Sequence, residues 1–403
     1  MTPGRGPRSA IRPAGTRGTP GGCRRIAVDG RVMQDNYHGI GRHTFELVRR
    51  LADRDVELLV IRDPSKPGRL DVDGLAGPRV RLIDLAVPVV SPAAQPRWLR
   101  LLAATAPDAL LVPYHLATPW VHPGVPTVVF VHDCIFEANP AFAPGGRPFQ
   151  LAYQMATRFA LARSTMVATV SEATRRELRH RYGRILPDDA VVPHGVGDQF
   201  RALATGPRPR LPRRYPRRYI LHVGALRPHK NHALLIAAFA EIARKLPDVD
   251  LVLVGQPDRR FPSRVPDLVR ARELTGRIQV LEKVGDEELL GLYAGAAAFA
   301  FPSLVEGFGL PVLEAMAAGV PTVTSDTPAV VEAGGGASLV VPALDCDAWV
   351  QALLRVLTDA PLAADLIARG RRVAAGHTWD RAADRTLRLL ESACARRVNR
   401  RRS

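Results

Sequence analysis

Glu306 and Glu314 lie eight positions apart in the segment SLVEGFGLPVLEAMAAGVPTV, where the strand-like run AAAFAFPS gives way to a helical pattern. Gly307 and Gly309 let the loop backbone approach a ligand closely. A helix that starts here, with Pro311 in its first turn, presents unpaired N–H groups and a partial positive charge. Backbone donors suit a phosphate and carboxylates suit hydroxyl groups, so this segment predicts a binding site for a sugar nucleotide.

Two cations, Arg227 and Lys230, lie in the loop GALRPHKN, between the apolar run YILHVG and an apolar helix. Such a pair can hold a diphosphate and stabilise the charge that develops as a sugar leaves, Arg through its planar fork and Lys as a compact charge. His229 lies between them and is a third candidate at this site. Taken alone, the loop is equally compatible with ordinary surface charges ahead of a helix.

His132 and Asp133 follow the run TVVFV, which has the pattern of a buried strand. A histidine in this position can bind a ligand or be a satisfied structural residue, and its position alone leaves both open. Asp133 either orients the imidazole or helps to place an acceptor.

Gly39, Ile40, Gly41 and Arg42 form the segment GIGR, which we expect to be a turn before the helix RHTFELVRRLADR. A helix N-terminus with such a turn can approach a diphosphate or an acceptor, and a plain strand-to-helix turn is the alternative. Ser171 follows VATV and opens another helix, where it acts as an ordinary N-cap or lies near the acceptor.

Short apolar runs alternate with helical stretches along the chain. The runs are RIAVDG, ELLVI, DALLVPY, TVVFVHD, TMVATVS and AVVPHG in the first half, and YILHVG, DLVLVG, RIQVLE, AAFAFPS, PTVTSD and SLVVP in the second. Strands that are apolar on both faces and alternate with helices predict parallel sheets covered on both sides. We therefore predict an α/β fold of two doubly wound, Rossmann-like domains that face each other across a cleft. Ligands bind beyond the carboxyl ends of such strands, where the candidate residues converge.

The Pro-rich segment RALATGPRPRLPRRYPRRY separates the two sets of strands and predicts a linker. The expected organisation is a disordered basic tail (1–23), an acceptor-side domain (24–200), the linker (201–218), a nucleotide-sugar-binding domain (219–378) and a terminal helix with a basic end (379–403).

The 403-residue chain has a formal net charge of +17, and much of the excess is Arg in the two ends. We expect solvated tails, with attraction to an anionic membrane face as the alternative. No stacked-aromatic pattern or helix-turn-helix series supports a nucleic-acid partner. The four widely spaced cysteines fit neither a zinc cluster nor a disulfide framework and favour a reducing compartment. No run approaches about 18 uncharged apolar residues, so we expect a cytoplasmic protein, with peripheral contact at the inner face of the plasma membrane left open.

The ordered series of motifs resembles the family 4 glycosyltransferases. It comprises DGR, GIGR, VFVHD, VATVSEATRREL, VVPHGV, YILHVGALRPHKN, LVLVG, VGDEELLGLYAGAAAFAFPS, the E-x7-E segment and AAGVPTVTSD, and it covers most of Arg25 to Trp379. The resemblance implies the GT-B architecture and a terminal helix that crosses back to the first domain.

The resemblance also implies roles for individual residues. His132, Glu306, Arg227 and Lys230 would be catalytic, with His132 and Glu306 against the donor sugar and Lys230 on the diphosphate. Glu314 would bind the ribose hydroxyls. The remaining donor-binding candidates are Phe308, Gly309 and Leu310, through their backbone N–H groups, together with Gly39 and Gly41; the acceptor-side candidates are Asp133, Arg42 and Ser171.

The resemblance implies a retaining hexosyltransferase that uses a nucleotide diphosphate sugar, and we expect it to need no cofactor and no metal. The variants GIGR, HD and RPHKN most resemble the bacterial mannosyltransferase-like branch of surface-polysaccharide biosynthesis, which favours GDP-mannose as donor and a glycan or polyprenyl-linked glycan as acceptor. UDP-glucose, UDP-N-acetylglucosamine and dTDP-rhamnose remain open as donors. The alternative functions are a GT-B-like nucleotide-sugar 2-epimerase and a non-catalytic scaffold or basic binding protein.

Overall fold

The computed structural model describes residues 23–34, 38–66, 68–91, 94–120, 124–204, 206, 215 and 218–402. The expected N-terminal tail up to residue 22 and most of the Pro-rich linker lie outside the described residues.

Within the described residues, twelve strands form two parallel six-stranded sheets. The first contains β1 (Arg25–Asp29), β2 (Glu57–Arg62), β3 (Val80–Asp84), β4 (Ala109–Val112), β5 (Thr127–Val131) and β6 (Met166–Thr169). The second contains β7 (Arg218–Val223), β8 (Val249–Val254), β9 (Ile278–Leu281), β10 (Ala298–Phe301), β11 (Thr322–Ser325) and β12 (Leu339–Val341). Their spatial orders, β3-β2-β1-β4-β5-β6 and β12-β11-β10-β7-β8-β9, are both doubly wound, which confirms the predicted fold class.

The described α-helices cover the sheets and connect the strands. They are α1 (His38–Leu51), α2 (Ala94–Thr105), α3 (Ile135–Ala138), α4 (Arg147–Arg163), α5 (Glu172–Tyr182), α6 (Asp198–Ala202), α7 (His232–Lys245), α8 (Val265–Ala271), α9 (Asp286–Gly295), α10 (Leu310–Ala317), α11 (Pro328–Gly334), α12 (Cys346–Thr358), α13 (Ala360–Gly376) and α14 (Trp379–Arg402). The central strands β4, β5, β8 and β10 are buried along their whole length, as expected for strands with helices on both faces.

Two segments of the first sheet differ from the predicted strands. AVVPHG is not a strand: Val191 makes only an isolated bridge to Thr169, and Pro193 has no N–H to extend a ladder. Conversely, VRLID forms the edge strand β3, which the sequence analysis missed. Arg81 and Asp84 are exposed in this strand, because an edge strand is only partly covered and therefore lacks a continuous apolar run.

The GIGR segment is helical, contrary to the predicted turn. Helix α1 begins at His38. Its first turns therefore contain Gly39, Gly41 and Arg42. Glycine is a weak helix former, but Gly41 packs closely on the backbone that follows β1: a Cβ here would lie 2.7 Å from Val32 O.

The terminal helix α14 packs against α1 and against β4, β5 and β6 of the first sheet. Its apolar side includes the buried Trp379, Leu389 and Leu390. Arg54, after α1, donates to Asp384 at 2.8 Å. The basic end that we expected as a tail continues this helix to Arg402. Among the described helices, none combines the length and the apolar character needed to cross a bilayer.

Candidate active site

The strand order of the second sheet brings two candidate loops together. β7 and β10 are hydrogen-bonded neighbours, and the order of the strands reverses between them. Arg227 and Lys230 follow β7, and Glu306 follows β10. The backbone joins the two loops directly, since Leu304 N donates to His229 O at 2.8 Å. Loops that leave a sheet at such a reversal point flank the crevice in which doubly wound proteins bind ligands.

Lys230 and Glu306 form an ion pair at this position. The Nζ of Lys230 lies 2.5 Å from Glu306 Oε1, and the two side chains are only 12% and 10% exposed. The ammonium group also lies 4.9 Å from the centre of the Phe301 ring. A partly buried cation held by one carboxylate has donor capacity left for a phosphate oxygen.

Arg227 has a partner that the sequence analysis did not identify. Its Nε donates to Asp258 Oδ2 at 2.8 Å, and Arg260 binds the same carboxylate at 2.7 Å. The hydrogen bond from Arg260, supported by the charge of Arg227, holds the pKa of Asp258 well below its usual value. Asp258 follows β8 in the segment GQPDRR, so the rule that placed the other candidates at strand ends could have found it.

Glu314 lies inside α10 and is 5% exposed. Its Oε2 accepts a hydrogen bond from the buried Tyr293 hydroxyl at 3.0 Å, and its Oε1 lies 3.9 Å from Arg42 Nη1 of the first domain. Burial raises the pKa of the Glu314 carboxyl, and the charge of Arg42 acts in the opposite direction. The structure therefore joins a donor-side candidate to an acceptor-side candidate across the two sheets.

Phe308, Gly309 and Leu310 form the start of α10, as the sequence predicts. Gly309 precedes the helix with φ = +111°, a backbone conformation that favours glycine. In the first turn of α10, Pro311 has no N–H and Val312 N donates to Gly309 O at 3.0 Å, so Leu310 N is the donor at this helix start that can bind an anion. Phe308 is buried, and its ring packs edge-on against His194 at 5.0 Å between centroids.

The loop before α10 docks on the first domain. A Cβ at Gly307 would lie 2.0 Å from His132 O, so only glycine permits this approach. Ser171 Oγ donates to Gly307 O at 2.7 Å and also accepts from Thr174 N at 3.0 Å. Ser171 is thus the N-cap of α5, and it also holds the loop that carries Glu306.

A carboxylate from the second domain completes the same contact. Glu332 of α11 accepts hydrogen bonds from Glu172 N at 2.7 Å and from Ala173 N at 2.9 Å, at the start of α5. The arrangement pairs a negative charge with the positive end of a helix from the other domain. No sequence motif marked Glu332, since the contact exists only when the two domains meet.

The His132 imidazole is almost fully buried and points towards the first domain. Its Nε2 lies 2.8 Å from Pro113 O. A carbonyl oxygen can only accept, so Nε2 carries the hydrogen and Nδ1 is left as an acceptor. Burial lowers the pKa of His132 to about 4, which makes the ring neutral near pH 7. The ring packs with His43 and His194, whose Nδ1 atoms lie 3.0 Å apart.

The structure shows the contacts of Asp133 and His229. Pro113 O, rather than Asp133, orients the His132 imidazole; Asp133 Oδ1 instead accepts from Ile135 N at 3.1 Å. Asp133 lies against the loop that carries Glu306, since a Cβ at Gly307 would be 2.9 Å from Asp133 Cβ. Burial raises the pKa of Asp133, and the charges of Glu306, Arg227 and Lys230 act on it as well. His229 is buried beside Phe142, and burial lowers its pKa.

Gly39 is a predicted site residue for which the structure shows no close contact with the other candidates. It is exposed, and a Cβ at this position would have no heavy atom within 4 Å. Gly41, by contrast, is buried: it lies in the same helix as Arg42 and packs against the backbone at Val32.

Comparisons with known proteins agree with the fold. Residues 37–200 match the profile described as Glycosyltransferase Family 4, and residues 208–373 match that described as Glycosyl transferases group 1. A solved Anabaena protein, Alr3699/HepE in complex with UDP and glucose, superposes with a TM-score of 0.70 at 18% identity, covering 92% of this chain and all of that one. The chain is therefore a glycosyltransferase with the GT-B fold and belongs to family 4.

Two curated relatives are similar along much of the chain. The O-antigen chain mannosyltransferase B of Escherichia coli is 29% identical, over 87% of this chain and 94% of the relative. The D-inositol 3-phosphate glycosyltransferase of Kineococcus radiotolerans is 30% identical, over 67% of this chain and 66% of the relative. The matches select the transferase over the epimerase and over the non-catalytic scaffold.

Proposed function

We propose that the protein is a retaining, metal-independent mannosyltransferase that moves mannose from GDP-mannose to a glycan or lipid-linked glycan. The observation that carries the proposal is the meeting of Lys230, Glu306 and the start of α10 at the reversal point of the second sheet. This arrangement puts a cation, the N-terminal end of a helix and carboxylates within one crevice, which are the groups that a nucleotide diphosphate sugar requires.

The diphosphate binds to the start of α10 and to Lys230 and Arg227. As the glycosidic bond breaks, negative charge grows on the leaving phosphate, and fixed cations in a partly buried site stabilise that charge more than water does. The pairing of Lys230 with Glu306 and of Arg227 with Asp258 holds both cations in place before the donor arrives. Because these groups neutralise the diphosphate, the transfer needs no divalent metal.

Carboxylates and His132 bind the sugar and the ribose. Glu314, held by Tyr293, accepts from the ribose hydroxyls, and Glu306 accepts from hydroxyls of the hexose. The unprotonated Nδ1 of His132 supplies the first domain's hydrogen-bond acceptor for a hydroxyl of the donor sugar. The acceptor hydroxyl attacks on the face from which the phosphate leaves, and the leaving phosphate takes its proton, so that the anomeric configuration is retained.

The similarity to a mannosyltransferase supports mannose as the transferred sugar. The similarity to an inositol phosphate glycosyltransferase supports a small, polar, polyhydroxylated acceptor as the alternative to a glycan or lipid-linked glycan. A nucleotide-binding assay separates the donor classes before any acceptor is known.

The first test is a thermal-shift series with GDP, UDP, dTDP and ADP, each with and without EDTA. A ligand at 100 times its Kd stabilises a folded protein by about 2.7 kcal/mol. We expect a shift that is selective for GDP and unchanged by EDTA. Glu314→Gln should reduce this shift, because the amide cannot accept two ribose hydroxyls as the carboxylate does, while Glu241→Gln on α7 should leave it intact. A well-folded protein that no nucleotide stabilises would show that the donor site is not functional.

A further inference from the structure

Helix α4 is apolar on two opposite sides. Tyr153, Thr157, Ala160 and Leu161 are buried against the first domain. The outer side exposes Leu151 (61%), Met155 (66%) and Phe159 (38%), which follow one another at helical spacing. A surface helix ordinarily turns a polar face to water, so this outward stripe indicates a binding surface.

An open groove of about 460 Å³ continues the stripe along the first domain. Val90 and Trp120 lie at its edge and are 50% and 48% exposed. Together with the α4 stripe they form what we term the α4 surface: Val90, Trp120, Leu151, Met155 and Phe159. Within the described residues, these five are the majority of the nine large apolar side chains that are exposed.

The chain segments that carry the α4 surface have charges of one sign. No Asp or Glu occurs between Leu85 and Pro107, between Ala109 and His132, or between Ala138 and Ser171, although the chain has 39 acidic residues. The same segments carry five arginines: Arg97, Arg100, Arg147, Arg158 and Arg163. Glu137, which accepts a hydrogen bond from Thr157 on the inner side of α4, is buried. Exposed apolar side chains carried by segments with arginines and no carboxylates complement hydrocarbon beneath anionic head groups.

The groove reaches the transfer site through His115. This buried residue lines the groove, and its Nε2 lies 3.3 Å from Thr157 Oγ1 of α4. It follows Pro113 by two residues, and the Pro113 carbonyl holds the His132 imidazole. A hydrocarbon chain that occupies the groove would therefore end close to the side of the cleft that we assign to the acceptor.

We propose that the α4 surface docks on an anionic lipid bilayer and that its groove receives a hydrocarbon chain of a membrane lipid. The role of this docking rests on the proposed mannosyl transfer: docking would present a lipid-linked acceptor to the side of the cleft that contains His132. The basic ends of the chain add long-range attraction, but the apolar contact is made by the α4 surface.

Tryptophan fluorescence tests the contact directly. Trp120 is exposed, whereas Trp98, Trp349 and Trp379, the other tryptophans of the chain, are 1%, 0% and 2% exposed. Bromine quenches tryptophan at short range, so vesicles of phosphatidylcholine and phosphatidylglycerol with brominated acyl chains should quench the full-length protein. Vesicles without bromine should not. The Trp120→Phe variant should bind the vesicles but lose the quenching.

Substitutions that introduce charge into the exposed stripe of α4 measure how much its apolar side chains contribute to vesicle binding. Met155→Glu with Phe159→Glu should weaken vesicle co-sedimentation at least tenfold. Leu344→Glu, at an apolar residue of the second domain that is 78% exposed, is the matched control and should bind as the native chain does. All these side chains are exposed, so the thermal stability of the variants should change little.

Several results would overturn the docking. The first is sedimentation with vesicles but without bromine quenching, which is what binding by the basic ends alone would give. The second is equal vesicle affinity of the double Glu variant and the native protein. The third is no vesicle binding at all. The last result would leave an acidic protein as the partner of this surface. Vesicle binding is measured without donor, and nucleotide binding without vesicles, so the docking and the proposed transfer can fail separately.

Discussion

Lys230 shows how one side chain is prepared for charge stabilisation. It is held by Glu306 at 2.5 Å, lies over the Phe301 ring and is only 12% exposed. Its ammonium group thus loses little freedom when a phosphate arrives, and low exposure strengthens the interaction with the charge that develops there.

Lys230→Ala should lower kcat by about 10²–10³-fold, equivalent to about 3–4 kcal/mol, because one fixed donor to the leaving phosphate is lost. Steady-state kinetics at saturating donor measure the effect. Lys245→Ala, at the exposed end of α7, is the matched control and should retain native kcat. Near-normal turnover of Lys230→Ala would be incompatible with the proposed role of the ion pair.

At the level of elements, the start of α5 is a contact point between the domains. Ser171 caps the helix from its own domain and binds Gly307 O, while Glu332 accepts from Glu172 N and Ala173 N. The loop that carries Glu306 is therefore held on one side by β10 and on the other by α5. Any motion that opens the cleft must break these hydrogen bonds.

Glu332→Gln should weaken the closed arrangement, since the amide keeps one acceptor oxygen but loses the second and the negative charge. Hydrogen bonds to charged groups contribute about 1.5–3 kcal/mol each, and the partial exposure of Glu332 brings the expected loss to about 1 kcal/mol. We expect KM for the donor to rise roughly fivefold with a smaller change in kcat. Glu241→Gln is the control, and equal KM values in the two variants would remove Glu332 from domain closure.

For the whole molecule, the interface between the domains is lined by buried imidazoles. His43, His132 and His194 pack together, and His194 also meets Phe308 of the second domain. Burial lowers the pKa of all three; neighbouring imidazoles lower the pKa of His43 and His194 further, whereas the hydrogen bond with Pro113 O acts in the opposite direction on His132.

Stability should consequently fall as the pH drops below about 6.5, the pKa of an unfolded histidine. The folded cluster stays neutral down to about pH 4 for His132, while the unfolded chain takes up protons. Each imidazole that remains neutral then costs about 2 kcal/mol at pH 5 relative to pH 7. Other buried histidines contribute as well, so the informative quantity is the slope of the variant.

His194→Asn should show a shallower loss of melting temperature between pH 7 and pH 5 than the native protein, whatever its absolute stability. His180→Gln, at an exposed histidine of α5, should reproduce the native slope. Parallel curves for His194→Asn and the native chain would mean that the cluster does not set the pH dependence.

Much of the fold could be predicted because its strands carry the signal themselves. Runs such as TVVFV and DLVLVG are buried on both faces and are therefore apolar throughout, which also marks them as members of parallel sheets. The edge strand β3 and the start of α1 were missed for the opposite reason. Their conformations depend on neighbours, namely partial cover for VRLID and the close backbone approach at Gly41.

The sequence by itself determined the local chemistry: the strand-loop-helix around Glu306 and Glu314, the cations after β7 and the order of the motifs. These depend on residue types and spacing within short segments. Only the tertiary structure decided the partners, because they lie far apart in the chain. These contacts form through the packing of the two sheets, and no local sequence pattern specifies which distant side chain makes them. They are Arg227 with Asp258, Glu314 with Tyr293 and Arg42, Glu332 with the start of α5, and His132 with the neighbouring imidazoles.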